Sequence, residues 1–260
     1  MKISTILLCL LLIQACSGQS NQPAQNQASE SIQKTPVDPI RELYEQYRDQ
    51  NQASISNGTV SNGSLKNGRI FPFQGPNFIY FDSTSYLEKH AFTHEKVNRA
   101  VLETYRQFET ILPSFEFGLM ECSNESGGKI WPHRTHQNGL SVDFMSPLLK
   151  NGISCTDFNR MGLPHYLMDF DENGIYTEDS SYSIDFNRMA QHLLVLHEEA
   201  KKQGLQIEKV ILKIGLKDNL FATEYGKKLR TSGIYFATNL SELIDSLHDD
   251  HYHVDFKILK

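Results

Sequence analysis

The sequence predicts an α+β fold, a mostly antiparallel central sheet with flanking helices. Three observations carry that expectation. Five apolar or β-branched stretches, at 115–121, 140–145, 166–170, 209–214 and 252–258, have strand character. Two amphipathic segments, 95–112 and 184–203, have helical spacing. The two kinds of segment interleave irregularly, which argues against a repeated strand–helix unit.

At 260 residues, 39% of them hydrophobic, the chain is long enough for one globular domain with a real core. A net charge of -6 and a pI near 5.9 give no electrostatic basis for nucleic acid as a partner. Residues 1–16 read as an export signal: Lys2 supplies the positive start, and 6–13 form an apolar run too short to span a membrane. Ile13-Gln14-Ala15-Cys16 resembles a bacterial lipobox, in which the Cys becomes the lipidated first residue of the mature protein. An ordinary signal peptide cut ahead of Cys16 is the other reading. Residues 17–40, rich in Gln, Asn, Ser and Pro, lack the apolar content to fold and form a tether. The folded domain is then expected over 41–260. A lipid on Cys16 would hold it to a membrane in the periplasm, and Ser17 is compatible with the outer membrane of a Gram-negative bacterium.

Taken in order, 40–50 predicts a short amphipathic helix, and the Asn-Gly pairs of 54–75 predict turns. Residues 78–81 read as a strand. In 95–112, Val97, Ala100, Val101, Tyr105, Phe108 and Leu112 share one helix face, and Pro113 ends it. Asp169-Phe170-Asp171-Glu172-Asn173-Gly174 resembles the opening of a calcium loop, but Ser180 stands where the closing Glu belongs. A hairpin turn at Asn173-Gly174, between strands 166–170 and 175–177, is the better reading. In 184–203, Met189, Leu193, Leu196 and Ala200 share a face, and Gly204 stops the helix. His90, His94, His192 and His197 lack the carboxylate and spacing of a helical zinc motif and read as ordinary surface or core histidines.

The chemistry-bearing residues lie in two windows, Pro132-His133-Arg134-Thr135-His136-Gln137-Asn138-Gly139-Leu140-Ser141-Val142-Asp143 and His248-Asp249-Asp250-His251-Tyr252-His253. They contain five of the ten histidines. If 252–258 is a strand, its two-residue period puts His251 and His253 on one face. Gly139 lets the backbone turn between His136 and Asp143. Two adjacent strands would then offer His136, Asp143 and His253 to one zinc ion, with a fourth position left for water. Solvated or adventitiously metal-binding histidines are the alternative.

The pattern Pro-His-x-x-His-Gln-x-Gly-x-x-x-Asp, with His-Asp-x-His-x-His-Val near the C-terminus, resembles the penicillin-insensitive murein endopeptidases. These belong to a wider group with lysostaphin-type peptidases, D-Ala-D-Ala carboxypeptidases and the hedgehog domain. Ser61-Asn62-Gly63-Ser64-Leu65-Lys66-Asn67-Gly68, with Pro72, Gly75 and Phe78, is similar to that family's N-terminal signature. The resemblance spans roughly residues 57–260 and is loose over 145–245. It implies an α+β fold with the metal on the open sheet face. It also implies zinc-dependent hydrolysis of peptide cross-links in peptidoglycan, with His251 and His248 in the active site.

On that reading zinc sits on His136, Asp143 and His253, and the peptidoglycan peptide is the substrate. His251 is the first candidate for the proton-transferring group, because strand geometry sets it beside the metal; His248 is the second. His133 is an additional ligand, an oxyanion stabiliser or a structural histidine behind the ligands. Arg134 and Gln137 are candidate substrate contacts. Asp255 stands where relatives commonly carry Arg, and no counterpart of a second metal's ligands is evident. A D,D-carboxypeptidase of the same group, a catalytically inactive zinc-containing wall-binding lipoprotein and a structural lipoprotein without metal remain as alternatives. Cys122 and Cys155 flank the first window, and an oxidising compartment would permit a bridge between them.

Overall fold

The computed structural model describes residues 38–260. The export signal, Cys16 and nearly all of the tether lie outside the described residues. Among the described residues no helix is long and apolar enough to cross a membrane. Helix α1, Pro39–Tyr47, opens ahead of the expected boundary at 41. Asp38 accounts for the start: its carboxylate accepts from the Ile40 backbone N–H at 3.0 Å, and Pro39 occupies the first turn, where no donor is needed.

The architecture is α+β. A six-stranded sheet contains β1 (Gln74–Gly75), β2 (Phe78–Tyr80), β3 (Phe117–Leu119), β4 (Ser141–Met145), β5 (Leu205–Ile211) and β6 (His251–Ile258), in the spatial order β5-β6-β4-β3-β2-β1. All neighbours pair antiparallel except β2 with β3, which run parallel. Smaller sheets lie outside it, including the hairpin Ile55–Thr59 with Asn62–Lys66.

One face of the sheet is covered by α2 (Glu95–Ile111) and α3 (Phe186–Lys202). Val97, Ala100, Val101, Tyr105 and Phe108 of α2 are buried, as are Met189, Leu193, Leu196 and Ala200 of α3. Burial of each large apolar side chain here contributes about 1.5–3 kcal/mol. Phe108 meets Phe117 of β3 with ring centroids 4.8 Å apart. His192 of α3 packs on Phe144 of β4 at 4.8 Å, and its Nδ1 lies 2.8 Å from the Tyr252 hydroxyl of β6. His192 is thus a core histidine, and His94 caps α2 by accepting from the Lys96 backbone N–H. Alternation along β6 sends Tyr252, Val254 and Phe256 towards the helices. His251, His253 and Asp255 go to the opposite face.

Several expectations need correction. Residues 166–170 do not form a strand: a 3-10 turn, Leu163–Leu167, occupies that position, opened by Gly162 at φ 75° and containing Pro164, which has no backbone donor. The turn at Asn173-Gly174 does form, closed by a single bridge between Phe170 and Tyr176. Asp171 is consumed by it, accepting from the backbone N–H groups of Asn173 and Ile175, both at 2.8 Å. The strand expected at 209–214 runs earlier, over β5, where Leu205 and Ile207 are buried between exposed Gln206 and Glu208. Its pairing shifts register between Ile207 and Lys209, and the chain leaves the sheet into the turn Ile214–Leu216. Cys122 and Cys155 are not bridged: both are free thiols. Cys122 is buried beyond the end of β3, bonded through its backbone to His90, whereas Cys155 lies on a strand of a separate three-stranded sheet.

Candidate metal centre

The open face of the sheet carries a row of side chains set by register. Ile211 pairs with His253, and His253 pairs with Asp143. Beyond β3 the backbone continues the ladder: the Asp143 N–H donates to the Glu121 carbonyl at 2.9 Å, and the Met120 N–H donates to the Asp143 carbonyl at 2.9 Å. A second row, one step along, is Lys209, Asp255 and Ser141. These residues are distant in sequence and come together because antiparallel pairing fixes both neighbour and face.

His136 reaches this row from the loop before β4, and its backbone is unusual, with φ 66° in the left-handed region that side chains other than Gly rarely adopt. Its imidazole is fully buried. Gly139, at φ 78°, completes the turn; a Cβ there would come within 2.8 Å of the His94 backbone nitrogen. The Gly139 N–H donates to Ser123 Oγ at 2.9 Å, and its carbonyl accepts from the His94 N–H at 2.9 Å. The loop is therefore fixed at the base of α2.

Three side chains converge. His253 Nδ1 lies 2.8 Å from Asp143 Oδ1, His136 Nε2 lies 3.1 Å from His253 Nδ1, and His136 Nε2 lies 3.2 Å from Asp143 Oδ2. All three side chains are almost fully buried. A small tetrahedral ion with bonds of about 2.0–2.1 Å holds its donors roughly 3.3 Å apart, so these separations suit such an ion. Asp143 Oδ2 is buried and has no hydrogen-bond partner, which is costly unless a cation or donor meets it. His133 stands at the edge of the group, its Nδ1 3.7 Å from Asp143 Oδ2 and its ring 4.8 Å from that of His136. The ligand atoms of His133, His136 and Asp143 lie within 4.8 Å of one another. The group can bind a metal ion.

Without an ion, the charges of the group balance one another. Burial alone would push the Asp143 carboxyl up, but the His136 and His253 imidazoles outweigh it and hold the group well below the usual carboxylate range. Burial alone would lower His253; Asp255 and Asp143 outweigh it and raise the group to about 10. His253 Nε2 lies 2.7 Å from Asp255 Oδ1, which also accepts from Ser141 Oγ at 2.7 Å, while Asp255 Oδ2 meets Lys209 Nζ at 2.8 Å. In the neutral form that a metal ligand takes, an imidazole that donates Nε2–H to Asp255 has its lone pair on Nδ1, the atom facing Asp143, so an ion there would displace the Nδ1 proton. Asp255 therefore orients a ligand. The signal for that role is local: Asp255 lies two residues after His253, so strand alternation puts both on one face.

His251 lies on the same face as His253, with its Nδ1 hydrogen-bonded to Asp250 Oδ1. Its ring centroid is 4.9 Å from that of His248 and 5.1 Å from Tyr166. His248 Nδ1 is 2.6 Å from the Ile244 carbonyl. Burial lowers His251 to about 4 and His248 to about 3, so both imidazoles are neutral near pH 7; burial raises Asp250 to about 7. A cleft of about 510 Å³ opens over the group, with His133, His248, His251 and His253 among its lining residues. Trp131, 92% exposed, stands at its rim. Arg134 also lines the cleft. Gln137 is buried instead, its side-chain amide donating to the Arg134 carbonyl at 3.3 Å, so it serves the loop.

No protein-family model matches the chain, and no curated protein matches it. The structure brings His133, His136, Asp143, His248, His251 and His253 to one place.

Proposed function

We propose that this protein is a zinc-dependent peptidoglycan endopeptidase, a periplasmic lipoprotein held to the membrane through Cys16, that hydrolyses peptide cross-links between stem peptides. The observation that carries the reading is the His136, Asp143 and His253 trio, with donors 2.8–3.2 Å apart beside an open cleft and a neutral His251 on the same strand face. The motifs that contain these residues supply the expectation of a wall substrate.

Zinc bound to that trio supplies Lewis acidity towards the scissile carbonyl and brings a water's pKa towards neutrality. The chain's own residues handle the protons. Because His251 Nδ1 is committed to Asp250, Nε2 remains to take the proton of the attacking water and return it to the leaving amine as the C–N bond breaks. His248, with Nδ1 committed to the Ile244 carbonyl, is the second proton carrier. Trp131 and Arg134 at the cleft are the substrate contacts on this account.

One observation favours a second reading. His133 stands 3.7 Å from Asp143, and a fourth protein donor is the pattern of structural zinc sites. A wall-binding lipoprotein that holds zinc without catalysis would look like this. Intact sacculi incubated with zinc-loaded protein separate the two. The endopeptidase releases soluble fragments, a chelator stops the release and added zinc restores it. Zinc binding with no release from any wall preparation selects the binding module.

A further inference from the structure

We propose that Glu121 is the positioning residue that holds His133 in the metal's donor set. Glu121 is 6% exposed and sits beside Asp143 in the backbone ladder. Its Oε2 lies 2.5 Å from His133 Nε2. Its Oε1 accepts from Ser85 Oγ at 2.9 Å and lies 3.1 Å from His90 Nδ1, and Ser85 Oγ in turn is 3.0 Å from the Tyr80 hydroxyl. Both oxygens are therefore fixed, and the carboxylate cannot swing without breaking bonds on its far side.

The consequence for His133 is the same as that of Asp255 for His253. In the neutral form that a metal ligand takes, with Nε2–H given to Glu121, His133 carries its lone pair on Nδ1, which faces Asp143 Oδ2. The two carboxylates differ in what balances them. Asp255 is paired with Lys209 at 2.8 Å. Among the described residues Glu121 has only His90 and His133 as ion-pair partners, and no Lys or Arg. A buried carboxylate without a fixed cation is costly. A divalent ion against Asp143 would be balanced by two negative charges, those of Asp143 and Glu121. His133, bonded to Glu121 and turned towards the ion, would transmit the second. This inference rests on the metal reading alone and holds whether the centre hydrolyses peptides or only binds the wall.

The test is zinc affinity by chelator competition on the full domain, with cobalt substitution as a spectroscopic readout. Glu121→Gln and His133→Ala should each weaken zinc binding about 10- to 100-fold. In the double variant the Glu121 change should add almost nothing, and the cobalt absorption bands of Glu121→Gln should move towards those of His133→Ala. Wild-type affinity in Glu121→Gln, or an undiminished further loss on top of His133→Ala, overturns the assignment. Histidine 15N resonances of the zinc-loaded wild type give a check independent of any variant's folding. His133 should carry its proton on Nε2, and a proton on Nδ1 contradicts the proposal.

Discussion

His253 and Asp143 are register partners on adjacent antiparallel strands, and their Nδ1 and Oδ1 atoms lie 2.8 Å apart. Direct opposition across β4 and β6, with His136 brought in from the loop, makes a donor set that no single segment contains. Removing any of the three should release the metal. His136→Ala, Asp143→Ala or His253→Ala should leave under about one tenth of an equivalent of zinc after dialysis, as a lost ligand costs several kcal/mol of binding. His251→Ala should keep its zinc while losing turnover. Zinc loss in His251→Ala would make it a ligand instead of a proton carrier.

Asp255→Asn tests the orientation of His253. The amide can still accept from Nε2–H but lacks the charge that makes the imidazole a stronger donor, and it leaves Lys209 unpaired. Zinc affinity should fall about 10- to 100-fold with the fold retained. An unchanged dissociation constant would reduce Asp255 to a structural ion pair.

Gly139→Ala asks whether the loop geometry is needed. The substitution forces a side chain into φ 78° and sets its Cβ 2.8 Å from the His94 backbone nitrogen. A cost of about 1–3 kcal/mol in unfolding free energy is expected, together with weaker zinc binding as His136 shifts. Unchanged thermal stability would show that the turn relaxes freely.

Acid stability should carry the signature of His192. Burial lowers this imidazole from 6.5 to about 3. Above pH 6.5 neither the native nor the unfolded form is protonated, and the group has no pH effect. Between about 3 and 6.5 the unfolded chain binds a proton that the native state does not, so stability falls as pH falls. His192→Gln removes that proton uptake. Urea unfolding of both metal-free proteins should show the wild type losing about 2 kcal/mol more than the variant between pH 7 and pH 5. Parallel losses would mean His192 titrates normally in the folded protein.

The legible part of the site was the part written in local spacing. The alternation of His251, Tyr252 and His253 gave the face of β6, and Gly139 between His136 and Asp143 gave the turn. Helices α2 and α3 were legible because each repeats its apolar positions over four turns. Glu121 was not, because its role depends on the fold bringing His133 back onto it, whereas Asp255 stands two residues from His253 and shares its strand face by the same alternation. Residues 166–170 misled because aromatic and apolar side chains there serve a 3-10 turn packed under the cleft, with His165 buried against the Asp250 carbonyl at 3.1 Å. The strand at 209–214 was misplaced because Val210, Ile211 and Leu212 are apolar without alternation, whereas the alternating half lies at 205–208.

The proposed reaction is hydrolysis of peptide cross-links with zinc on His136, Asp143 and His253. Its most direct test follows the products of a purified, cross-linked muropeptide dimer by mass, using zinc-loaded protein. Intact monomers are expected, their masses summing to that of the dimer plus one water, and none with His251→Ala. Release of only a terminal D-Ala would contradict the endopeptidase assignment in favour of a carboxypeptidase, and an unchanged dimer with zinc fully bound would contradict catalysis altogether.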